Sequence, residues 1–141
     1  MKILFGTDGS KAALAALQTL VARYAWFAAI PNLTLVHVHP PVPYGMAARW
    51  VGKDTVAQYC AEESAKALAP ATALLDAAGI AHDTVARVGE PAHEIVQWAR
   101  DRGYDCIALG THGHTALGTL VLGSIAQKVI ASSAIPVLLL K

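Results

Sequence analysis

The stretch CIALGTHGHTALGTLVLGSIAQKVIAS, Cys106–Ser132, runs from a short apolar segment into a helical pattern through a glycine-rich loop. Its opening, CIALG, has the length and apolar character of a strand buried on both faces. Its end, SIAQKVIAS, carries apolar residues at helical spacing. Between them, from Gly110 to Ser124, lie four glycines, two histidines and no Asp, Glu, Lys or Arg. Strand-to-helix connections usually take about 2–6 residues. The extra length has two readings: a loop shaped around a phosphate, or a slack connection.

The chain repeats this strand-then-helix pattern on both sides of the loop. Strand candidates are KILFGT from Lys2, LTLVHVH from Leu33, HDTVARVG from His82, CIALG, and IPVLLL from Ile135. Between them come SKAALAALQTLVARYA from Ser10, a helix from about Thr55 to Ala78, EPAHEIVQWARDRG from Glu90, and a helix from about Leu120 to Ser132. Asp8 and Ser10 are both cap candidates for the first helix. Glu62 and Lys66 stand at i,i+4 in the second, which Pro70 is expected to kink or divide. Pro91 suits a first helical turn, and Gly79 and Gly103 suit helix ends. Five strands alternating with four helices predict an α/β fold: a parallel sheet with helices on both faces and right-handed crossovers. Residues 1–141 are expected to form a single domain.

Composition narrows the function. Of 141 residues, 55% are hydrophobic, enough for a sizeable core, and the formal net charge is +1. No Lys/Arg run or basic surplus points to nucleic acid. Cys60 and Cys106 read as inert buried thiols in a reducing compartment. The start, MKILFGTDGS, is too short in its apolar part for a signal peptide and is interrupted by Asp8. The most membrane-like stretch, from Ala13 to Ile30, contains Gln18 and Arg23, so no membrane span is expected. These features predict a cytoplasmic protein.

In open parallel sheets, ligands bind beyond the carboxyl ends of the strands, where the strand order reverses. GTDGS, HVHPP and the glycine-rich loop all reach that end. GTLVLGS from Gly118 has the Walker A glycine spacing but lacks its lysine. GTHGHT is not G-x-G-x-x-G, and neither DGS nor LGS supplies a nucleophile elbow. Asp8 has no acidic neighbours of the kind a receiver domain needs. What remains is G-x2-G-x9-G-S: Gly110, Gly113, Gly123 and Ser124. Gly110 and Gly113 tolerate positive φ, so successive N–H groups can converge on an anion. Gly123 and Ser124 open a helix whose free N–H groups face the same space.

Over its whole length the chain resembles the universal stress protein family. The resemblance rests on ILFGTDGS, LVHV, GEPAHEIVQWA, the G-x2-G-x9-G-S loop and PVLLL; the loop pattern is that of the ATP-binding branch. It implies a five-stranded, Rossmann-like sheet of order 3-2-1-4-5 and a regulatory or sensing role in stress response. It implies a site for ATP, or ADP or AMP, with Mg. Thr7 and Asp8 would lie against the ribose side, with Asp8 able to meet a metal ion carried by the nucleotide. The main chain at Val38 would meet the adenine edge, and Gly113, His114, Gly123, Ser124, Ile125 and Ala126 would hold the phosphates. It also implies a homodimer through the last strand, Val137–Leu140, placed at a sheet edge. Two positions depart from the family pattern. His114 stands where arginine is common, and Ala126 stands where a hydroxyl residue can add a phosphate contact.

The residues offer phosphate donors but no nucleophile–base pair, so binding is expected over catalysis. Slow ATP hydrolysis in the same site is the enzymatic alternative, and a ligand-free dimeric module the third. Plainer roles stand beside these: Asp8 or Ser124 as simple caps, an empty glycine loop, and Trp26, Trp50 and Trp98 as packing residues. The pairs His37/His39 and His112/His114 form no metal signature stronger than ordinary loop and strand-end histidines.

Overall fold

The computed structural model describes residues 1–42, 52–111 and 122–141. Among them run β1 (Lys2–Gly6), α1 (Lys11–Ala22), β2 (Asn32–His39), α2 (Lys53–Ala77), β3 (His82–Val88), α3 (Pro91–Asp101), β4 (Cys106–Gly110), α4 (Ser124–Ser132) and β5 (Val137–Leu140). The five strands form one parallel sheet in the order β3-β2-β1-β4-β5, as expected. The register pairs Phe5 with Leu35 on one side of β1 and with Ala108 on the other. The chain reverses its direction of winding between β1 and β4, which stay paired up to Gly6 and Leu109, so the connections that follow them leave the carboxyl end of the sheet towards opposite faces.

Alternation along β1 builds two cores. Ile3 and Phe5 face α1 and α2, packing with Leu17, Leu35 and Leu75. Leu4 faces α3 and α4, packing with Val36, Ile95, Ile107 and Val129. Ile3, Leu4 and Phe5 are fully buried. Burial on both faces explains why β1 and β4 read as continuous apolar runs.

The helices follow local signals, with corrections to the reading above. Ser10 caps α1, its Oγ accepting from Ala13 N at 3.1 Å, while Asp8 Oδ1 accepts from Ser10 N at 2.9 Å just ahead of it. Helix α1 ends at Ala22, and a 3-10 turn follows at Tyr24–Trp26. Tyr24 Oη then donates to Pro31 O. Trp26 is 78% exposed and is no packing residue; Arg23 lies over its ring instead. Trp50 lies outside the described residues. Pro70 does not divide α2, which runs unbroken for 25 residues. Leu68, Ala71 and Leu75, buried on either side of the proline, anchor both halves to the same sheet face. Lys66 pairs with Glu63 at 2.8 Å, not with Glu62, which accepts from Gln58. Helix α4 starts at Ser124, later than the apolar pattern suggested, and its N-cap is Gly123. Ser124 is therefore the first helical residue and not the cap.

At the β5 edge, Leu140 is buried and Leu138 packs on the first core, while Leu139 is 36% exposed. The strand is thus not apolar towards solvent along its whole length.

Candidate nucleotide site

The turn after β1 is shaped by two short side chains. Thr7 Oγ1 accepts from Gly9 N at 3.2 Å, and Asp8 holds Ser10 N. Gly9 has φ +77°, and a Cβ there would stand 2.9 Å from Ala67 Cα of α2. Glycine thus supplies both the left-handed backbone and the room for α2. The turn keeps Thr7 and Asp8 at the carboxyl end of β1, beside the gap opened towards β4.

On the far side of that gap, Thr111 N donates to Leu140 O at 2.9 Å, and Gly123 N donates to Thr111 O at 2.8 Å. The second bond ties the end of β4 to the start of α4. Thr111 and Gly123 therefore meet at one point, with the first turn of α4 beside it. The earliest N–H groups of a helix lack intrahelical acceptors and carry the positive end of its dipole. Ser124 is exposed there.

Between these walls lies a cleft of about 360 Å³. Thr7, Asp8, Val38, Gly110, Gly123, Ser124, Ile125 and Ala126 all line it. Gly113 and His114 lie outside the described residues. The sequence reading missed other lining residues, among them His37, Pro40, Pro91 and Ile95. Ile95 and Pro91 follow from the register of α3 against the sheet, which no local pattern announces. His37 had a signal in the alternation of β2. Its Nδ1 lies 2.9 Å from Thr7 O. His39 turns to Tyr59 of α2, with ring centroids 5.8 Å apart. Among the described residues no group of three His, Cys, Asp or Glu side chains is placed to hold a metal ion.

Polar contacts also brace the cleft from outside. Glu90 Oε2 accepts from His93 N at 2.8 Å and caps α3, while Oε1 meets Lys128 Nζ of α4 at 2.9 Å. The Lys128 bond and then the His93 N–H hold this carboxyl below its ordinary pKa. Burial pushes the Cys106 thiol up, as suits an unreactive cysteine.

A sheet of this order, with a cleft at the β1/β4 switch point closed by a glycine-led helix start, has a close counterpart among known proteins. The sequence profile of the universal stress protein family matches residues 1–141. The chain belongs to the universal stress protein family. Universal stress protein MJ0531 of Methanocaldococcus jannaschii is 32% identical over 141 residues, covering 99% of this chain and 81% of the relative. The solved structure of protein MJ0577 from the same organism superposes with a TM-score of 0.81 at 31% identity. That match covers 99% of this chain and 94% of the other. A universal stress protein of Archaeoglobus fulgidus, solved in complex with dAMP, superposes with a TM-score of 0.67 at 22% identity. It covers 100% of this chain and 98% of the other. No described helix is long and apolar enough to cross a membrane.

Proposed function

We propose that this universal stress protein binds an adenine nucleotide, ATP with Mg²⁺ in the first place, in the cleft at the β1/β4 switch point. One observation carries the reading. The free start of α4 at Gly123 and Ser124 lines the same cleft as Thr7, Asp8 and Val38. That arrangement offers an anion-binding helix terminus at one end and a mostly apolar wall for a base at the other. The dAMP complex of the Archaeoglobus relative supports the ligand class. The cleft of this chain, about 360 Å³, falls in the usual range for small-molecule sites, about 300–1,000 Å³. Asp8 is the only carboxylate among the described lining residues. Mg²⁺ commonly relies on one or two carboxylates and takes its other ligands from phosphate and water, so the ion would enter with the nucleotide.

The role that follows is regulatory binding in the cytosol, as a homodimer of single-domain subunits paired through β5. The described cleft residues include no nucleophile with an adjacent base. Mass spectrometry of ligand released from freshly purified protein, with calorimetric titration of ATP, ADP and AMP with and without Mg²⁺, tests the reading. Adenine nucleotide in the preparation, or saturable ATP binding, is expected. Neither one, in folded protein, would overturn it.

A further inference from the structure

The last rung between β1 and β2 is made in an unusual way. Thr7 N donates to Val36 O at 2.9 Å. In a parallel ladder the next bond runs from the amide two residues on, here Val38 N–H, to the Thr7 carbonyl. That bond is absent: the β1–β2 pairing stops at Gly6 and Val36. The Thr7 carbonyl instead faces His37 Nδ1 at 2.9 Å. A carbonyl oxygen only accepts, so Nδ1 carries the proton and donates.

The consequence falls on Val38. Its N–H and C=O point to the β1 side of β2, because those of Val36 do and the direction alternates. No acceptor among the described residues meets this N–H, though Val38 is only 7% exposed and lines the cleft. A buried amide without a partner is rare in folded proteins and calls for a ligand or an ordered water. We propose that His37 is a positioning residue: its ring holds the Thr7 carbonyl turned away from Val38 N–H, and so presents that amide to the ligand. A ring nitrogen of a purine, an acceptor in the plane of its base, suits a lone main-chain donor on an apolar wall. This assignment rests on the nucleotide reading, but its structural half does not.

The choice of substitution follows from atom positions. Asparagine puts an N–H donor near the place of Nδ1, whereas leucine offers none. In His37→Leu the Thr7 carbonyl recaptures Val38 N–H and the ladder extends by one rung. Amide hydrogen exchange by NMR reads this directly. In the wild-type protein without nucleotide, Val38 N–H should exchange quickly for a central strand and become protected when ATP is added. In His37→Leu it should be protected before any ligand is added, and ATP affinity should fall tenfold or more. His37→Asn should keep the wild-type exchange pattern and restore affinity to within about threefold. Strong protection of Val38 N–H in ligand-free wild type would overturn the proposal. So would a His37→Leu protein with wild-type affinity and an unprotected amide. If wild type binds no adenine nucleotide, the nucleotide reading fails alone, and the ligand-free exchange comparison still decides the role of His37.

Discussion

Replacing Ser124 with aspartate should stabilise the protein and weaken nucleotide binding at once. Ser124 is the first residue of α4, is exposed and lines the cleft. The added carboxylate therefore displaces no packing. A negative charge in the first helical turn gains about 0.3–1 kcal/mol from the helix dipole. For a domain of this size, that should raise the melting temperature by about 1–4 °C. A bound phosphate meets the same charge as repulsion. At a separation of ~5 Å, two unit charges interact by about 1 kcal/mol in water and about 3 kcal/mol at an effective dielectric near 20. The expected loss in ATP affinity is thus about 5- to 150-fold. Adenosine, which has no phosphate, should bind the variant as it binds wild type. Calorimetric titration with both ligands, alongside thermal melts, checks all three signs. Unchanged ATP affinity would remove the start of α4 from the phosphate site. An equal loss for adenosine and ATP would show a distorted cleft and refute the electrostatic argument.

Glu90→Ala should destabilise the fold by about 1 kcal/mol at pH 7, mostly through the lost cap on α3, since exposed ion pairs such as that with Lys128 add little. The Glu90 carboxyl is held below its unfolded pKa of about 4.3, so its stabilisation is present above that value and lost as pH falls through the folded pKa. The gap between wild type and variant in thermal melts should therefore shrink in acid; a constant gap from pH 7 to pH 3 would contradict this. Gly6→Ala would place a Cβ 2.6 Å from Leu109 Cδ2 and 3.3 Å from Ile95 Cδ1, beneath the cleft. Overpacking of this kind costs about 1–3 kcal/mol, and a denaturant midpoint equal to wild type would show that Leu109 yields freely. Leu139→Lys tests the dimer. Leu138 and Leu140 pack into the chain's own core, so Leu139 is the residue free to meet a partner strand. Light scattering should give two chains for wild type and one for the variant, and a wild-type mass of one chain at micromolar concentration would remove the β5 interface.

The fold was legible because its signals are local and redundant. Apolar runs of strand length alternate with helical patterns, and glycines or capping residues stand at most joints. Errors arose where tertiary packing outweighs a local rule. Pro70 removes one hydrogen bond from α2, but the buried residues flanking it keep the helix continuous through the loss. Trp26 has the residue type of a core, yet α1 ends before it and the turn carries it outward. The apolar pattern also placed the start of α4 early, because periodicity alone does not register the extended backbone at Gly123, with ψ 144°.

The site divides in the same manner. Main-chain phosphate donors leave a trace in sequence, since glycine and serine at a helix start are chosen for backbone reasons. A main-chain donor on a strand leaves none: any residue at position 38 has an N–H. Its availability depends on where β1 stops pairing and on what holds the Thr7 carbonyl, and both are facts of register. The side chain that decides the matter, His37, belongs to the neighbouring residue and points to the opposite face of the sheet from Val38. Read as one of two alternating histidines, it suggests a metal ligand or nothing. In the folded sheet it replaces a ladder bond. Positioning residues of this kind are found by asking where each backbone group finds its partner, and the Val38 amide, which meets no acceptor among the described residues, is what gives His37 its meaning.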